Sequence, residues 1–405
     1  MNAEQNLSRL NYQGWIKLIS GFFIFSRFVL LLANPLDGLR GYGDFLHFYS
    51  LATLPGWPYI HYWVEFPPVF PFLIAGLARI TAQEHVFDYL LFLLLTFCDL
   101  INILLFSRLS GRVSGKGKNI PAVFIFAGIL MALPYCWWYF DSLAVLLMLL
   151  SLELLLKNRP FSTGFVIGLG ILTKFFPAIA LIAVWFQVGW KKRVITLGVT
   201  LVVVLTCYGA LWVRSPEFTR AGLFSQASKG SWETVWAMLD GNFHTGNFGP
   251  VESRLDPNAA NPSQGNAARV PPWISFIIIA GLGLWGLTRV RAKNLQGYVA
   301  VMVWVFALLF LWSPGWSPQW VLYLIPLVLL AFPLRSAILI GGALISVNLL
   351  EWPVMLSRGY FWALPVTIGL RTVILILLAV VAFQGMTTPL TQPDQSNVQQ
   401  SERIS

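Results

Sequence analysis

Residues 41–71 read GYGDFLHFYSLATLPGWPYIHYWVEFPPVFP, and long apolar segments lie on both sides of this stretch. It brings the carboxylates of Asp44 and Glu65 close in sequence to His47, His61 and a belt of Tyr and Trp. A polar cluster of this kind beside membrane-spanning segments indicates a functional site. The structural alternative is an aromatic loop at the membrane–water interface whose acids are merely solvated.

Local spacing predicts how this stretch folds. Asp44, His47 and Phe48 are separated by three and four residues, so one helical turn would place their side chains on the same face. Pro67 and Pro68 are expected to end one helix and to begin another at its first turn. The stretch is therefore predicted to contain short helices that lie beside the membrane.

The composition is that of a polytopic membrane protein. Apolar residues make up 57% of the 405 residues and charged residues 11%, which leaves room for about twelve spans of roughly 20 residues. The formal charge of +10 does not indicate a nucleic-acid partner, because the basic residues lie mostly in short loops beside apolar segments. The three cysteines form neither a CxxC pattern nor a disulfide framework. No HExxH, GxSxG or clustered metal-ligand pattern occurs, so we expect neither a metal ion nor a cofactor.

Twelve apolar segments are predicted to cross the membrane. They are 15–33, 86–107, 120–138, 141–156, 161–173, 176–190, 194–213, 272–288, 297–312, 319–333, 336–351 and 361–383. The first lacks a small-residue cleavage site and is interpreted as a retained span, not a signal peptide. Two charges inside the spans, Arg27 and Asp99, are interpreted as a structural pair, with a proton path as the alternative.

Positive charge orients these segments. The short basic loops that should face the cytoplasm are 108–118, 157–159, 191–193 and 289–293. All of them can do so only if segment 67–82 is an interfacial helix that does not cross the membrane. Segment 161–190 must then be a hairpin that turns near residues 173–177, and both chain termini lie inside.

The candidate site residues then fall on the outer face. They are Asp44, His47, His61, Glu65, His85, Asp141, Lys174, His244, Gln319 and Arg358. We predict one transmembrane domain, 1–386, followed by a disordered cytoplasmic tail at 387–405. Its first outer loop, 34–85, carries the juxtamembrane helices. The second half of its large outer loop, 214–271, is rich in Gly, Asn and Pro and should be an irregular lid.

Four polar residues outside the first loop are candidate ligands, each with a structural alternative. Lys174 would bind an anionic ligand or serve as a snorkelling anchor. Arg358 is a second candidate for the same anion, and Gln319 would face a cavity or cap its helix. Asp141 begins a span, where helix N-capping is the alternative to a role in the site.

Two glycine patterns indicate helix packing. Gly281, Gly283 and Gly286 spell GxGxxG, but no strand precedes them, so a dinucleotide site is not predicted. Close approach of apolar helices explains them, as it explains the small-xxx-small spacing of Gly164 and Gly168.

The order and common sidedness of the polar motifs resemble the C-type (GT-C) integral membrane glycosyltransferases that use polyprenyl-phosphate sugars. The bacterial mannosyltransferase-like members are the most similar. The residues that carry the resemblance, between about residues 15 and 333, are Gly43-Asp44, Glu65-Phe66-Pro67-Pro68, Asp141, Leu172-Thr173-Lys174-Phe175-Phe176-Pro177 and Ser317-Pro318-Gln319-Trp320. The chain departs from the pattern at Phe66, where many relatives have Tyr. It also has a single acid at Asp44, so the paired-acid, metal-dependent arrangement of some relatives is not predicted.

The resemblance implies an all-α, GT-C-like fold and gives the candidates their roles. Asp44 would be the catalytic base or would orient the acceptor, and Lys174 would contact the phosphate of the sugar donor. The substrate-binding candidates are His47, Glu65, Asp141, Lys174, Gln319 and Arg358.

The predicted function is transfer of a hexose, mannose in the first instance, with inversion at the anomeric carbon. The partners would be a polyprenyl-phosphate sugar, a lipid-linked or glycan acceptor, and the lipids of the plasma membrane, with the active site on its extracytoplasmic face. A transporter or flippase is the competing class and predicts repeats, broken helices and charges at the membrane midplane. A scaffold of a glycan-assembly complex would keep the fold but could dispense with Asp44.

Overall fold

The computed structural model describes residues 3–244, 249–260 and 265–388, which form helices and loops and no β-strand. The predicted tail at 387–405 lies, beyond Thr388, outside the described residues. The helices are α1 (Ala3–Ala33), α2 (Leu36–Arg40), α3 (Phe45–Ala52), α4 (Val69–Ile80), α5 (Glu84–Ser114), α6 (Ile120–Ala132), α7 (Tyr135–Trp138), α8 (Asp141–Leu156), α9 (Pro160–Thr173), α10 (Ala180–Gln187), α11 (Trp190–Arg214), α12 (Pro216–Phe224), α13 (Val235–Asp240), α14 (Pro272–Leu287), α15 (Leu295–Trp312), α16 (Val321–Ala331), α17 (Leu334–Leu349) and α18 (Leu364–Thr387).

The long helices confirm an all-α polytopic membrane protein. In the described part of the chain, the segments long and apolar enough to cross a membrane are Asn11–Ala33, Glu84–Ser114, Trp190–Arg214, Leu295–Trp312, Leu334–Arg358 and Phe361–Thr387. Other predicted spans coincide with apolar helices of 10–17 residues, among them Ile120–Ala132, Pro160–Thr173, Phe176–Gln187, Pro272–Leu287 and Pro318–Ala331. Helices this short do not by themselves establish a crossing, so the total of twelve spans stays a prediction.

The predicted span 120–138 is divided in the structure. α6 ends at Ala132, and Leu133 has an extended backbone with φ −88° and ψ 114°. Pro134 follows, and a residue that precedes proline is disfavoured in the helical region. After one turn of α7 the chain starts α8 at Asp141. The break presents the backbone of α7 to the first outer loop.

The double proline begins a helix but does not end one. Pro68 occupies the N-cap of α4, where its fixed φ suits the entry to a helix. The prediction that Pro67 and Pro68 end the preceding helix was wrong, because α3 already ends at Ala52. Residues 53–66 between them are turns and irregular backbone.

Small residues allow close helix contact, as predicted for α9. A Cβ on Gly164 would lie 2.4 Å from the carbonyl oxygen of Thr196, and one on Gly168 would lie 2.8 Å from the Cβ of Val203. Both of these neighbours belong to α11. The two helices therefore pack backbone to backbone, the arrangement that small-xxx-small spacing favours.

The two intramembrane charges form the predicted pair. Nη2 of Arg27 lies 3.4 Å from Oδ2 of Asp99 and donates to the carbonyl of Leu130 at 2.6 Å. Its guanidinium lies over the ring of Trp137, 4.5 Å from the centroid. The buried Arg27 thus ties α1 to α5, α6 and α7.

The large outer loop is less irregular than predicted. Its first half contains α12 and α13, and the side chain of Thr234 caps α13 by accepting from the amide of Ala237. Its second half contains two short 3₁₀ turns, Val251–Leu255 and Pro257–Ala260. The buried members of these turns, Arg254 and Ala260, pack on the first outer loop and on α12.

Candidate active site

The backbone of α7 fixes Asp44 at the start of α3. Its amide donates to the carbonyl of Trp138 at 3.1 Å, and its carbonyl accepts the first helical bond from Phe48 at 2.8 Å. Glycine at position 43 allows this approach, because a Cβ there would lie 2.5 Å from the Cβ of Trp138. The helix break at Pro134 therefore determines where the Asp44 carboxylate stands.

His47 and Glu65 contact each other, as their place in the opening stretch predicts. Nε2 of His47 lies 3.0 Å from Oε1 of Glu65. Arg254 of the large outer loop holds the same carboxylate, with Nη2 3.3 Å from Oε1 and Nε 3.4 Å from Oε2. Both oxygens of Glu65 are thus engaged by protein, which favours a positioning role over direct contact with a substrate.

Trp63 holds the segment that carries Arg254. Its indole Nε1 donates to the carbonyls of Ser253 at 3.3 Å and Asp256 at 2.9 Å, and its amide donates to the carbonyl of Arg254 at 3.0 Å. The Arg254 guanidinium also lies over the Trp63 ring, 4.4 Å from the centroid. Trp63 and Arg254 are fully buried, so residues 249–260 are docked on the first outer loop.

Lys174 and Asp141 form an ion pair. Nζ of Lys174 lies 2.7 Å and 2.9 Å from the two carboxylate oxygens of Asp141. The side chain of Asp141 is 0% exposed and that of Lys174 is 15% exposed. The capping alternative for Asp141 is wrong, because Phe140 occupies the N-cap of α8. α9 ends at Thr173, which confirms the predicted turn.

Four phenylalanines pack the helices that carry these charges. The rings of Phe70 and Phe140 are stacked with centroids 3.8 Å apart, and Phe66 meets Phe140 edge-on at 5.2 Å. Phe48 packs edge-on against Phe70 at 4.9 Å. Aromatic pairs of these geometries stabilise a core beyond the area they bury. Phe66, where the chain departs from the family pattern, thus joins α3, α4 and α8.

The Asp44 carboxylate is the one acid of this cluster that no described residue engages by a hydrogen bond. Removal from water raises the pKa of Asp44 to about 6, and the charges of Glu65 and Asp141 add to this effect. The charges of His47 and Lys174 oppose it. At pH 7 the carboxylate is therefore mostly ionised, half-buried, and able to accept a proton.

Contact between His47 and Glu65 favours the charged form of each. Burial disfavours the Glu65 carboxylate, but the hydrogen bond from His47 and the charge of Arg254 outweigh it and lower the pKa of Glu65 to about 2. Burial also disfavours the imidazolium of His47, but the Glu65 carboxylate raises the pKa of His47 above its ordinary value. Glu65 thus favours the protonated form of an imidazole that stands one helical turn from Asp44.

Lys229 adds a cation from the large outer loop. Desolvation lowers the pKa of Lys229, and the negative charges of Glu65 and Asp44 oppose this effect. Its Nζ lies over the ring of Trp232, 4.5 Å from the centroid. The site therefore has more positive charge than the first outer loop supplies.

Gln319 lies near the cluster and Arg358 does not contact it. The ring of Trp320, next to Gln319, meets that of Phe176 at 5.0 Å, beside the turn after α9. Oε1 of Gln319 is buried without a hydrogen-bond partner among the described residues. Arg358 is exposed and donates to the carbonyl of Val354 at 2.6 Å. Gln319 stays a candidate for substrate contact, whereas nothing in the described part of the chain joins Arg358 to the site.

Only His47 of the four histidines reaches the cluster. Nδ1 of His61 accepts from the amide of Trp57 at 2.9 Å and so fixes a turn of the first loop. His85 is exposed, and His244 packs on Phe361 with ring centroids 4.6 Å apart. Among the described residues, no group of three or more His, Cys, Asp or Glu is placed to hold a metal ion.

Sequence reasoning missed three residues of the site. Trp138, Lys229 and Arg254 reach the cluster from parts of the chain far from residues 41–71. The only sequence signal for Lys229 and Arg254 is that both are basic residues in the large outer loop. Nothing local indicates that either one faces an acid of the first loop.

Comparison with protein families identifies the chain. The model of glycosyltransferase family 87 matches residues 63–314. The chain belongs to glycosyltransferase family 87. The matched region contains Glu65, Asp141, Lys174 and Arg254, while Asp44 and His47 precede it. Glycosyltransferase family 87 is a GT-C-like family, which agrees with the resemblance of the chain's motifs to the GT-C glycosyltransferases.

Two solved structures show a weak overall likeness to this family 87 member. One is the crystal structure of the Archaeoglobus fulgidus oligosaccharyltransferase in the apo form, with a TM-score of 0.40 and 13% identity over 96% of this chain and 59% of that chain. The other is its complex with Zn and sulfate, with a TM-score of 0.35 and 13% identity over 93% and 54%. The chain spans little more than half of that protein, and no curated protein matches it. The assignment rests on the family match.

Proposed function

We propose that this glycosyltransferase moves a hexose, mannose in the first instance, from a polyprenyl-phosphate donor to a lipid-linked or glycan acceptor. Transfer takes place on the extracytoplasmic face of the plasma membrane and inverts the anomeric carbon. The observation that supports this assignment is the contrast among three acids. Glu65 and Asp141 are bound by cations, whereas Asp44 presents a half-buried carboxylate that no described side chain engages.

Asp44 is the proposed base. Its carboxylate takes the proton of the acceptor hydroxyl as that oxygen attacks the anomeric carbon, and the bond between the sugar and the phosphate oxygen breaks. The electron pair of that bond leaves with the polyprenyl phosphate. Inversion follows because one unengaged carboxylate serves as base and, among the described residues of the cluster, no second one is free to form a covalent intermediate, by analogy with glycosidases.

Lys174 is proposed to receive the departing phosphate. An ammonium has three N–H donors, and Asp141 occupies two of them, so one remains for a phosphate oxygen. The Asp141 carboxylate fixes the direction of that third donor. A preorganised cation in a partly dry site stabilises charge that develops in the transition state.

Sidedness supports a lipid-linked donor. An outward-facing site has no supply of cytosolic nucleotide sugars. A polyprenyl chain instead anchors its sugar at the membrane, because each buried methylene contributes roughly 0.8 kcal/mol of membrane affinity. The exposed apolar side chains of the long helices, such as Phe25, Leu201 and Ile278, suit contact with lipid.

The direct test is a transfer assay with the purified full chain in lipid nanodiscs. With a lipid-linked or glycan acceptor supplied, we expect release of polyprenyl phosphate from a short-chain polyprenyl-phosphate mannose, and the hexose should be joined to the acceptor with the anomer opposite to that of the donor. The matching glucose and galactose donors test the choice of sugar. Release with retained configuration would contradict the single-base mechanism. No transfer from any of the three donors would contradict the proposed donor class.

The proposed sidedness predicts a labelling pattern in intact cells. After replacement of the half-buried Cys207 with serine, single cysteines at Ser114 and Asn158 should resist a membrane-impermeant thiol reagent, and one at Glu252 should react. All three side chains are exposed, so only the membrane would protect the first two. Labelling at Asn158 from outside would place the turn that carries Lys174 on the cytoplasmic side.

A further inference from the structure

We propose that Arg254 is a positioning residue: it docks residues 249–260 on Glu65, and the Glu65 carboxylate, held from two sides, fixes the His47 imidazole beside Asp44. The inference rests on the proposed function. It assigns a role in catalysis to the large outer loop, which the sequence indicated only as a lid.

The contacts form a continuous path from the loop to the base. Arg254 lies within 3.3–3.4 Å of both Glu65 oxygens, and Oε1 of Glu65 lies 3.0 Å from Nε2 of His47. His47 stands one helical turn after Asp44 on α3. A guanidinium that meets a carboxylate at both oxygens limits its rotation, because the planar fork matches the carboxylate geometry.

Trp63 also holds Arg254 in place. The Trp63 ring packs on its guanidinium, and Trp63 donates three hydrogen bonds to the backbone of residues 253–256. An exposed loop arginine would need none of these contacts. Full burial of Arg254 and Trp63 therefore indicates that residues 249–260 are packed in a fixed position on the first outer loop.

The charge of His47 links the contacts of Arg254 and Glu65 to the pKa of Asp44. The charges that act on Asp44 are those of His47, Lys174, Glu65, Asp141 and Lys229, and those that act on His47 are Glu65, Asp44 and Arg254. The imidazolium lowers the pKa of Asp44 against the effect of burial. If Glu65 rotates away, His47 loses its partner, the imidazolium is destabilised, and the Asp44 carboxylate binds its proton at a higher pH.

The experiment compares Arg254→Gln, Arg254→Lys and the control Arg269→Gln in the purified full chain. Arg269 is an exposed arginine of the same loop. We expect Arg254→Gln to lower kcat by about 10- to 100-fold, as misplacement of a catalytic group does. The KM for the sugar donor should change little, and the acid limb of the kcat/KM profile should move to higher pH. Arg254→Lys should recover part of kcat, and Arg269→Gln should match the wild type.

Hydrogen exchange separates this inference from the proposed function. Peptides that cover residues 59–66 and 249–260 should exchange faster in Arg254→Gln than in the wild type, whether or not the assay has the right substrate. Unchanged exchange in both peptides would overturn the docking step. Faster exchange with wild-type kcat and pH profile would show that Arg254 only packs the loop and would overturn the positioning role. Faster exchange in a chain that transfers no hexose would keep the docking and refute the proposed reaction together with the positioning role.

Discussion

Asp44→Asn is expected to lower kcat by about 10²–10⁴-fold, the range typical of a lost general base. The amide keeps the shape of the carboxylate but cannot take the acceptor proton. The backbone bonds to Trp138 and Phe48 do not involve the side chain, so the variant should fold and bind the sugar donor. Turnover of a purified polyprenyl-phosphate sugar measures the effect.

The pH dependence of kcat/KM is an independent test of the proposed role of Asp44. The pKa of Asp44 is raised to about 6, and the base must be ionised, so wild-type kcat/KM should fall as pH decreases through about 6. The residual kcat/KM of Asp44→Asn should not fall in this way as pH decreases. The matched control is Asp37→Asn, because Asp37 is an acid of the same outer loop with a 93% exposed side chain. Near-normal turnover by Asp44→Asn would move the role of base to another carboxylate.

Lys174→Gln is expected to lower both stability and kcat. The substitution leaves the fully buried carboxylate of Asp141 without its cation, and breaking a buried ion pair costs about 3–5 kcal/mol of unfolding free energy. If Lys174 also stabilises the leaving phosphate, kcat falls because the phosphate gains charge as the bond to the sugar breaks. Denaturant unfolding in detergent and steady-state kinetics measure the two effects.

A double variant separates these effects. In Lys174→Gln with Asp141→Asn neither position carries a charge, so the free energy of unfolding should return most of the way to the wild-type value while kcat stays low. Recovery of kcat together with stability would show that Lys174 is structural. Lys157→Gln is the matched control, since its partner Glu153 remains paired with Arg112 at 3.1 Å.

Local features of the fold and site were predictable from the sequence. Apolar runs marked the long helices, and the spacing of Asp44 and His47 placed both on the first turn of α3 because a helix repeats every 3.6 residues. Lys174 was expected at the turn of a hairpin and lies directly after α9. These predictions succeeded because each depends on neighbours within a few residues.

Pairings across the chain were not predictable. Lys174 contacts Asp141, 33 residues away along the chain, and Arg254 contacts Glu65, 189 residues away. A sequence shows that each side chain is charged, but which charges meet depends on how the helices pack. The division of span 120–138 could have been predicted, since Leu133 and Pro134 carry the local signal that ends a helix.

The distance along the chain between Glu65 and Arg254 has a consequence for biogenesis. A membrane protein is inserted from its N-terminus, so on the proposed topology Glu65 reaches the outer face 189 residues before Arg254 does. Throughout that interval the nascent chain has the His47–Glu65 pair but lacks the cation that completes it. On the proposed mechanism the base is not fully positioned until the large outer loop has been translocated, so we expect no transfer from a nascent chain that ends before Arg254.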